Sequence, residues 1–374
     1  MSLRTLARAW NDFFFQPQLP TPVALFRVLY GLIFLADLLL MRADWLTFFG
    51  ARGLVSLQTE RVLAAGPRLD IFAWIPQTDP WVLAVFWVAL IAGICLTIGF
   101  QSRLSSIAVF VLVTSMHQRN LFIIHGGDTL LRVTGFFLMF APAGAAFSVD
   151  RLLRIWNGKE GLEITPRAPW AQRMIQFETA MLYFMTFVEK SLGPAWVDGT
   201  ALHYVFHLDQ FKRFPVPAFF EDPFMVKLET WGTLAIEFSM GVLVWIKELR
   251  YPLLLAGLLL HLSLEYSMNV PLFQWIILAT YVTFVEPADL TRAWAWVRGR
   301  VTPYLAEPII VSYDPQWLPT VNVIRALDVF QRIRFVKGAG HVSIRRLIPL
   351  LVPFPAPAAS RRSVPINGRS VTAK

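Results

Sequence analysis

The sequence predicts an all-α membrane protein: a bundle of about eight transmembrane helices, a small cytoplasmic C-terminal module and a disordered tail. Two observations carry that reading. Hydrophobic residues make up 56% of the 374-residue chain and charged residues only 16%, with a mean hydropathy of +0.52, too apolar for an ordinary water-soluble domain. The apolar residues also fall into runs near the ~20 residues that a helix needs to cross a bilayer.

Taken in order, the chain opens with Met1 to Pro22, which holds Arg4, Arg8 and the aromatic Phe13, Phe14 and Phe15 but no small-residue cleavage site, so it is not read as a signal peptide. The spans follow at Val23 to Met41, Trp81 to Phe100, Leu104 to Ile124, Leu130 to Phe147, Ala171 to Glu189, Trp231 to Lys247, Tyr251 to Met268 and Pro271 to Glu286. Tilt and a few interior polar groups are tolerated within each. Residues 1–290 thus form the membrane domain. After Asp289, Pro303, Pro308, Pro315 and Pro319 break the pattern, so 291–350 reads as a small cytoplasmic module and 351–374 as a disordered basic tail.

Lys and Arg in short loops mark the cytoplasmic side. With the N-terminus inside, the inner connections hold Arg103, then Arg151, Arg154, Lys159, Arg167 and Arg173, then Lys247 and Arg250, then the tail. Both termini are expected in the cytoplasm, and the membrane is the inner one if the host is bacterial. The net charge of +9 is therefore juxtamembrane charge and not a nucleic-acid surface. Cys95 is the only cysteine, which excludes a disulfide framework and a cysteine-rich metal site. No fixed-period repeat supports an inverted-repeat transporter.

Ionisable groups inside a bilayer cost at least ~2.5 kcal/mol each, which makes them the functional candidates. In the fifth segment Gln176, Thr179, Tyr183, Thr186 and Lys190 recur at spacings of three and four, a polar stripe that must face the bundle interior or a water-accessible cavity. Interhelical hydrogen bonding with Lys190 reaching to the headgroups explains the stripe as well as a site does. The sixth segment carries Glu237, and the seventh carries His261 and Glu265 one turn apart. These are expected to meet between the two helices, as a charge pair, a proton-transfer unit or a transport path. At the turn before the fourth helix, His117, Arg119, His125 and Asp128 crowd around Gly126-Gly127, with Asp128 placed to cap the helix. They lack the fixed spacing of a metal site, and no metal is expected.

The chain resembles the HTTM family, the transmembrane module that includes the vitamin K-dependent gamma-glutamyl carboxylase, over roughly residues 20 to 290. The likeness rests on His117-Gln-Arg-Asn with Gly126-Gly127-Asp128, on Ser148-Val149-Asp150, on Tyr183 to Lys190 followed by Trp196-Val-Asp198-Gly199, and on Glu237, His261, Pro271-Leu272-Phe273 and Tyr281. It implies that Lys190 is a weak base that deprotonates a reduced, vitamin K-like quinone. In the carboxylase, oxygen then adds and a strongly basic alkoxide takes a proton from glutamate before carbon dioxide is captured. A partly desolvated lysine suits that role, and a lipid-soluble quinone would reach it through the bilayer. Lys190, His261, Glu237 and Tyr183 are the candidate catalytic residues, with His125, Asp128, Glu265 and Arg119 as candidate substrate-binding residues. Membrane lipid and quinone are the expected partners, and protein partners are left open.

The chain also departs from the carboxylase. It has no large lumenal substrate-binding domain after Asp289, and it reads His125-Gly-Gly-Asp128 where the carboxylase has Asn-Asn-His. Quinol oxygenation is thus more defensible than glutamate carboxylation. In the tail, Ile309 to Tyr313-Asp314 resembles the start of the thioredoxin-like DCC family, without its Cys-x-x-Cys pair. Two other classes stay open beside the enzyme: a non-catalytic membrane scaffold and a carrier for a small or lipidic solute.

Overall fold

A computed structural model describes residues 2–63, 68–304 and 309–338 together with the pairs 365–366 and 369–370. The long helices are α1 (Leu3–Phe15), α2 (Thr21–Met41), α3 (Asp79–Ile98), α4 (Ser102–Arg119), α5 (Gly126–Leu138), α6 (Val149–Trp156), α7 (Trp170–Ser191), α8 (Pro223–Val242), α9 (Lys247–Ser267), α10 (Phe273–Tyr281) and α11 (Pro287–Val301).

Each of the eight apolar runs is helical, but the runs differ in how well they fit a bilayer. Among the described residues, two stretches, Thr21–Phe49 and Asp79–Ile98, are long and apolar enough to cross a membrane. α5 is 13 residues and α10 is 9, well short of the ~20 of a full crossing, because α5 starts at Gly126 but stops at Leu138, ahead of Pro142, and the chain tightens into a 3-10 turn at Val282–Phe284 after α10. α7 and α9 are long enough but carry charged residues. Lipid-facing surface is plain on α2 and α3, where Leu32, Leu39, Leu40, Trp87, Val88 and Ile91 are exposed.

Aromatic side chains fill the core between α2, α3 and the segment after α2. Phe49 stacks on Phe72 at 5.3 Å between ring centres, and Trp45 donates from Nε1 to the Val82 carbonyl at 2.9 Å. Capping accounts for the Ser148-Val149-Asp150 motif. Ser148 Oγ accepts from Arg151 N at 3.0 Å to start α6, while Asp150 reaches back so that its two oxygens accept from Gln101 N and Ser102 N, each at 2.7 Å, to start α4. The α3–α4 turn needs Gly99, whose φ is +69°, because the fully buried Arg27 guanidinium lies against it and donates to the Phe147 carbonyl at 2.5 Å.

The sequence boundary at residue 290 falls inside α11. Beyond it, β1 (Ile309–Tyr313) and β2 (Ile333–Lys337) pair in parallel, with Ile309 opposite Ile333 and α12 (Leu318–Leu327) as the crossover. Val311, Tyr313, Val321, Ile324 and Ile333 form its core, and α12 packs on α6. This small parallel unit is a departure from an otherwise helical chain. Much of 339–374, including most of the tail expected to be disordered, lies outside the described residues; Pro365–Ile366 and Arg369–Ser370 pair antiparallel.

Candidate functional site

The polar stripe of α7 faces inward. Gln172, Gln176, Thr179 and Tyr183 are buried, Thr186 is half-buried, and Gln172 Nε2 donates to the Thr283 carbonyl at 2.7 Å with Gln176 donating to the same oxygen, so the freed carbonyl beyond α10 is capped by α7. One turn further, the Tyr183 hydroxyl meets both Nε2 of His261 and the hydroxyl of Tyr281, the latter at 2.5 Å. His261 Nδ1 meets Gln274 Oε1. With an amide oxygen as its partner, Nδ1 carries the proton, which leaves Nε2 to accept from Tyr183. The order is therefore Tyr281 to Tyr183 to His261 to Gln274, a continuous chain that ties α7, α9 and α10 together and is buried throughout.

Lys190 ends the stripe and forms an ion pair with Glu237 of α8. Glu237 is 7% exposed at its side chain and Lys190 30%, and the second Glu237 oxygen, Oε2, is buried with no hydrogen-bond partner. Trp196 sits under the ammonium at 4.7 Å from ring centre to Nζ. Its short helix, Pro194–Val197, is tied to α8 because Trp231 Nε1 donates to the Val197 carbonyl at 3.2 Å. Gly241, one turn after Glu237, lets α8 come so close to α7 that an added Cβ would lie 3.0 Å from the Phe184 backbone. That approach brings Glu237 against Lys190, with the rings of Phe187 and Phe238 5.2 Å apart alongside.

The expected meeting of Glu237, His261 and Glu265 does not occur. His261 and Glu265 do share a helix, but the long loop after α7 folds back: Arg213 N donates to the Ser267 carbonyl at 3.0 Å, and its guanidinium takes Glu265 as an ion-pair partner. His261 turns inward to Tyr183 and Gln274 instead, and Glu237 goes to Lys190.

The turn before α5 is a separate corner. His125 and Asp128 form a capping box, with Asp128 Oδ2 accepting from His125 N at 2.8 Å and His125 Nδ1 accepting from Gly127 N at 3.0 Å. His117 Nε2 lies 3.8 Å and His125 Nε2 3.5 Å from the Asp128 carboxylate. Arg119 belongs elsewhere: it is fully buried and donates to the carbonyls of Val55 and Gly50, each at 2.9 Å, which clamps the loop after α2 and leaves it no ligand-binding face. No hydrogen bond or ion pair among the described residues joins this corner to Lys190. Phe273 stands between it and the buried chain, its ring centre 6.4 Å from both His125 and His261.

Asp37, Gln172, Gln274, Arg27 and Arg213 are among the polar residues that the sequence pattern did not single out. Asp37 lines a small cavity with His125 and Asp128, wide enough for about one water molecule. As a lone carboxylate in the apolar α2 it carried the same signal as Glu237. Among the described residues, no group of three His, Cys, Asp or Glu side chains is placed to hold a metal ion.

These helices and this pattern of polar residues define a family of membrane proteins. The HTTM domain model matches residues 15–288, and the chain belongs to that family. It is similar to the uncharacterized protein YitO of Bacillus subtilis (strain 168), 25% identical over 242 residues that cover 62% of this chain and 76% of the relative. No solved structure matches. The family match stops at residue 288 and lends the thioredoxin-like likeness of the tail no support.

Proposed function

We propose that this HTTM protein is a membrane enzyme that takes a proton from a lipid-soluble quinol, with Lys190 and Glu237 acting as one proton-holding pair. The observation that carries the reading is the pair itself, set between α7 and α8 with one carboxylate oxygen left unpartnered. In water, such a lysine keeps its proton beside a carboxylate. The Glu237 carboxylate, 7% exposed, is penalised as a charge while Lys190, 30% exposed, is penalised less, and moving one proton from Nζ to the carboxylate removes both charges at once. Nζ has a free lone pair only in that neutral form: the ion pair with Glu237 favours the ammonium and weakens Lys190 as a base acting alone, so the proton transfer belongs to the pair. A reduced quinone, when bound, supplies an acidic ring hydroxyl and a ring that reacts with oxygen once deprotonated. The unpartnered Glu237 Oε2 suits that hydroxyl as an acceptor, and the Trp196 ring suits an aromatic face. The chain through Tyr183 and His261 fixes the backbone from which Lys190 projects, which makes those two positioning residues.

The same proposal has the chain cross the bilayer about eight times with both termini cytoplasmic, supported by the basic residues Arg173, Lys247 and Arg250 gathered near Glu286 at one end of the bundle. Labelling of Ser2→Cys on intact cells with an impermeant reagent would count against that orientation.

The scaffold reading keeps one specific support: the groups of the Tyr281–Gln274 chain satisfy one another, as a purely structural network would. Quinol-dependent oxygen uptake by reconstituted protein separates the two. Lys190→Ala is expected to lose on the order of a hundredfold or more of turnover and to regain part of it with small amines in order of their basicity. Full activity in the unrescued variant would refute the base role and favour the scaffold.

A further inference from the structure

α1 has no buried residue at all. Its apolar side chains Leu3, Leu6, Trp10 and Phe14 recur at spacings of three and four and share one face, while Arg4, Arg8 and Asn11 lie together to the side of it. Leu3, Leu6 and Trp10 are 86%, 57% and 64% exposed. A 13-residue helix with an uncovered apolar face is marginal in water, so something must cover it.

Its far end is moored. The Arg173 guanidinium lies over the Phe13 ring at 4.7 Å, Phe13 is 5.8 Å from Trp245, and just beyond, Gln18 N donates to the Arg167 carbonyl at 3.0 Å. This holds α1 beside the ends of α7 and α8, where Arg167, Arg173 and the aromatic Trp245 gather. Its first turn holds Arg4 and no acidic residue, the reverse of what the helix dipole favours. Neither Arg4 nor Arg8 is ion-paired among the described residues.

We infer that α1 lies flat in the interfacial layer of the membrane, its Leu3–Leu6–Trp10–Phe14 face among acyl chains and Arg4 and Arg8 on the phosphodiester groups of anionic phospholipid. Two features choose lipid over a second copy of the chain. The apolar face sits at the level where Trp245 and Phe13 already meet, continuous with a bundle whose exterior is apolar, and of the flanking charges Arg4, Arg8 and Asp12 the balance is positive, the sign that phospholipid attracts. The inference rests on the membrane placement of the family and not on the quinol chemistry, so either can fail alone.

Spin labels test it on the full chain in a Cys95→Ser background. Single cysteines go in at Leu6→Cys and Trp10→Cys on the apolar face and at Thr5→Cys and Asn11→Cys on the polar one, none of which disturbs a buried contact. In phosphatidylcholine vesicles containing phosphatidylglycerol, labels at 6 and 10 are expected to be severalfold more accessible to oxygen than to a water-soluble nickel chelate, and labels at 5 and 11 the reverse. Omitting phosphatidylglycerol, or introducing Arg4→Gln with Arg8→Gln, should lower the equilibrium constant for docking of the helix on the membrane by about fivefold per lost contact. Uniform exposure to the chelate overturns the docking. Immersion indifferent to headgroup charge overturns the lipid assignment, and protection at 6 and 10 that persists in detergent overturns it in favour of a second copy.

Discussion

Replacing Lys190 with Met takes away the one cation among the described residues that pairs with Glu237, a carboxylate whose side chain is 7% exposed and whose second oxygen already lacks a partner. Breaking a buried pair from one side typically costs about 3–5 kcal/mol. Here the carboxylate can take up a proton once the lysine is gone, which caps the loss, so about 2–3 kcal/mol is expected for Lys190→Met. The opposite change, Glu237→Gln, leaves a lysine that is 30% exposed, rests on Trp196 and can reach water, so about 1 kcal/mol is expected. The double variant removes both charges and should lose no more than about 1 kcal/mol relative to the wild type, a coupling energy of about 2–4 kcal/mol. Unfolding in mixed micelles with rising dodecyl sulfate, followed by circular dichroism, measures all three. Equal, additive losses would show that the two side chains do not share a desolvated site, and the base argument would lose its physical ground.

Other outcomes follow from the same geometry. Tyr183→Phe leaves His261 Nε2 and the Tyr281 hydroxyl buried without their common partner and should destabilise by about 1–2 kcal/mol, measured the same way. Gly99→Ala forces a side chain into a backbone with φ of +69° and against the Arg27 guanidinium, at about 2–4 kcal/mol. In the loop after α2, burial first and the Glu60 charge second raise Asp70 from 3.8 to about 6. The folded value is the higher one, so the stability this group contributes is full below about pH 4 and is lost as pH rises through about 6. Asp70→Asn, which keeps an oxygen for the Phe72 N–H, should therefore flatten the decline between those pH values by on the order of 2–3 kcal/mol, and an unchanged decline would place its origin elsewhere.

The sequence showed the helices and the direction of the α7 stripe because both follow from local periodicity, and lipid enforces it: Gln176, Thr179 and Tyr183 had nowhere to go but inward. It also pointed to Lys190 and Glu237, since a charge in an apolar run is conspicuous one residue at a time. Pairing was harder to read. Glu265 stands one turn from His261, yet its partner, Arg213, arrives from a loop whose return onto α9 depends on backbone bonds no spacing rule encodes. Gln274 went unnoticed because an amide costs little in a hydropathy count, although it sets the tautomer of His261. Arg119 looked like ligand chemistry because a buried arginine that serves backbone carbonyls and the chain's own Glu60, at 4.0 Å, has the same sequence signature as one that holds an anion. The length of α5 and α10 was overestimated for a related reason: apolar composition continues past Leu138 through the turn and Pro142 after α5, and through the 3-10 turn that follows α10.

The central claim is that the Lys190–Glu237 pair accepts a proton from a quinol, and the proton transfer can be watched without oxygen. Under argon, a reduced naphthoquinone mixed with the reconstituted protein should develop the red-shifted absorption of its deprotonated form, to an extent that tracks protein concentration, and the band should be absent with Lys190→Met and with Glu237→Gln/Lys190→Met. A band of undiminished size in either variant would contradict the account.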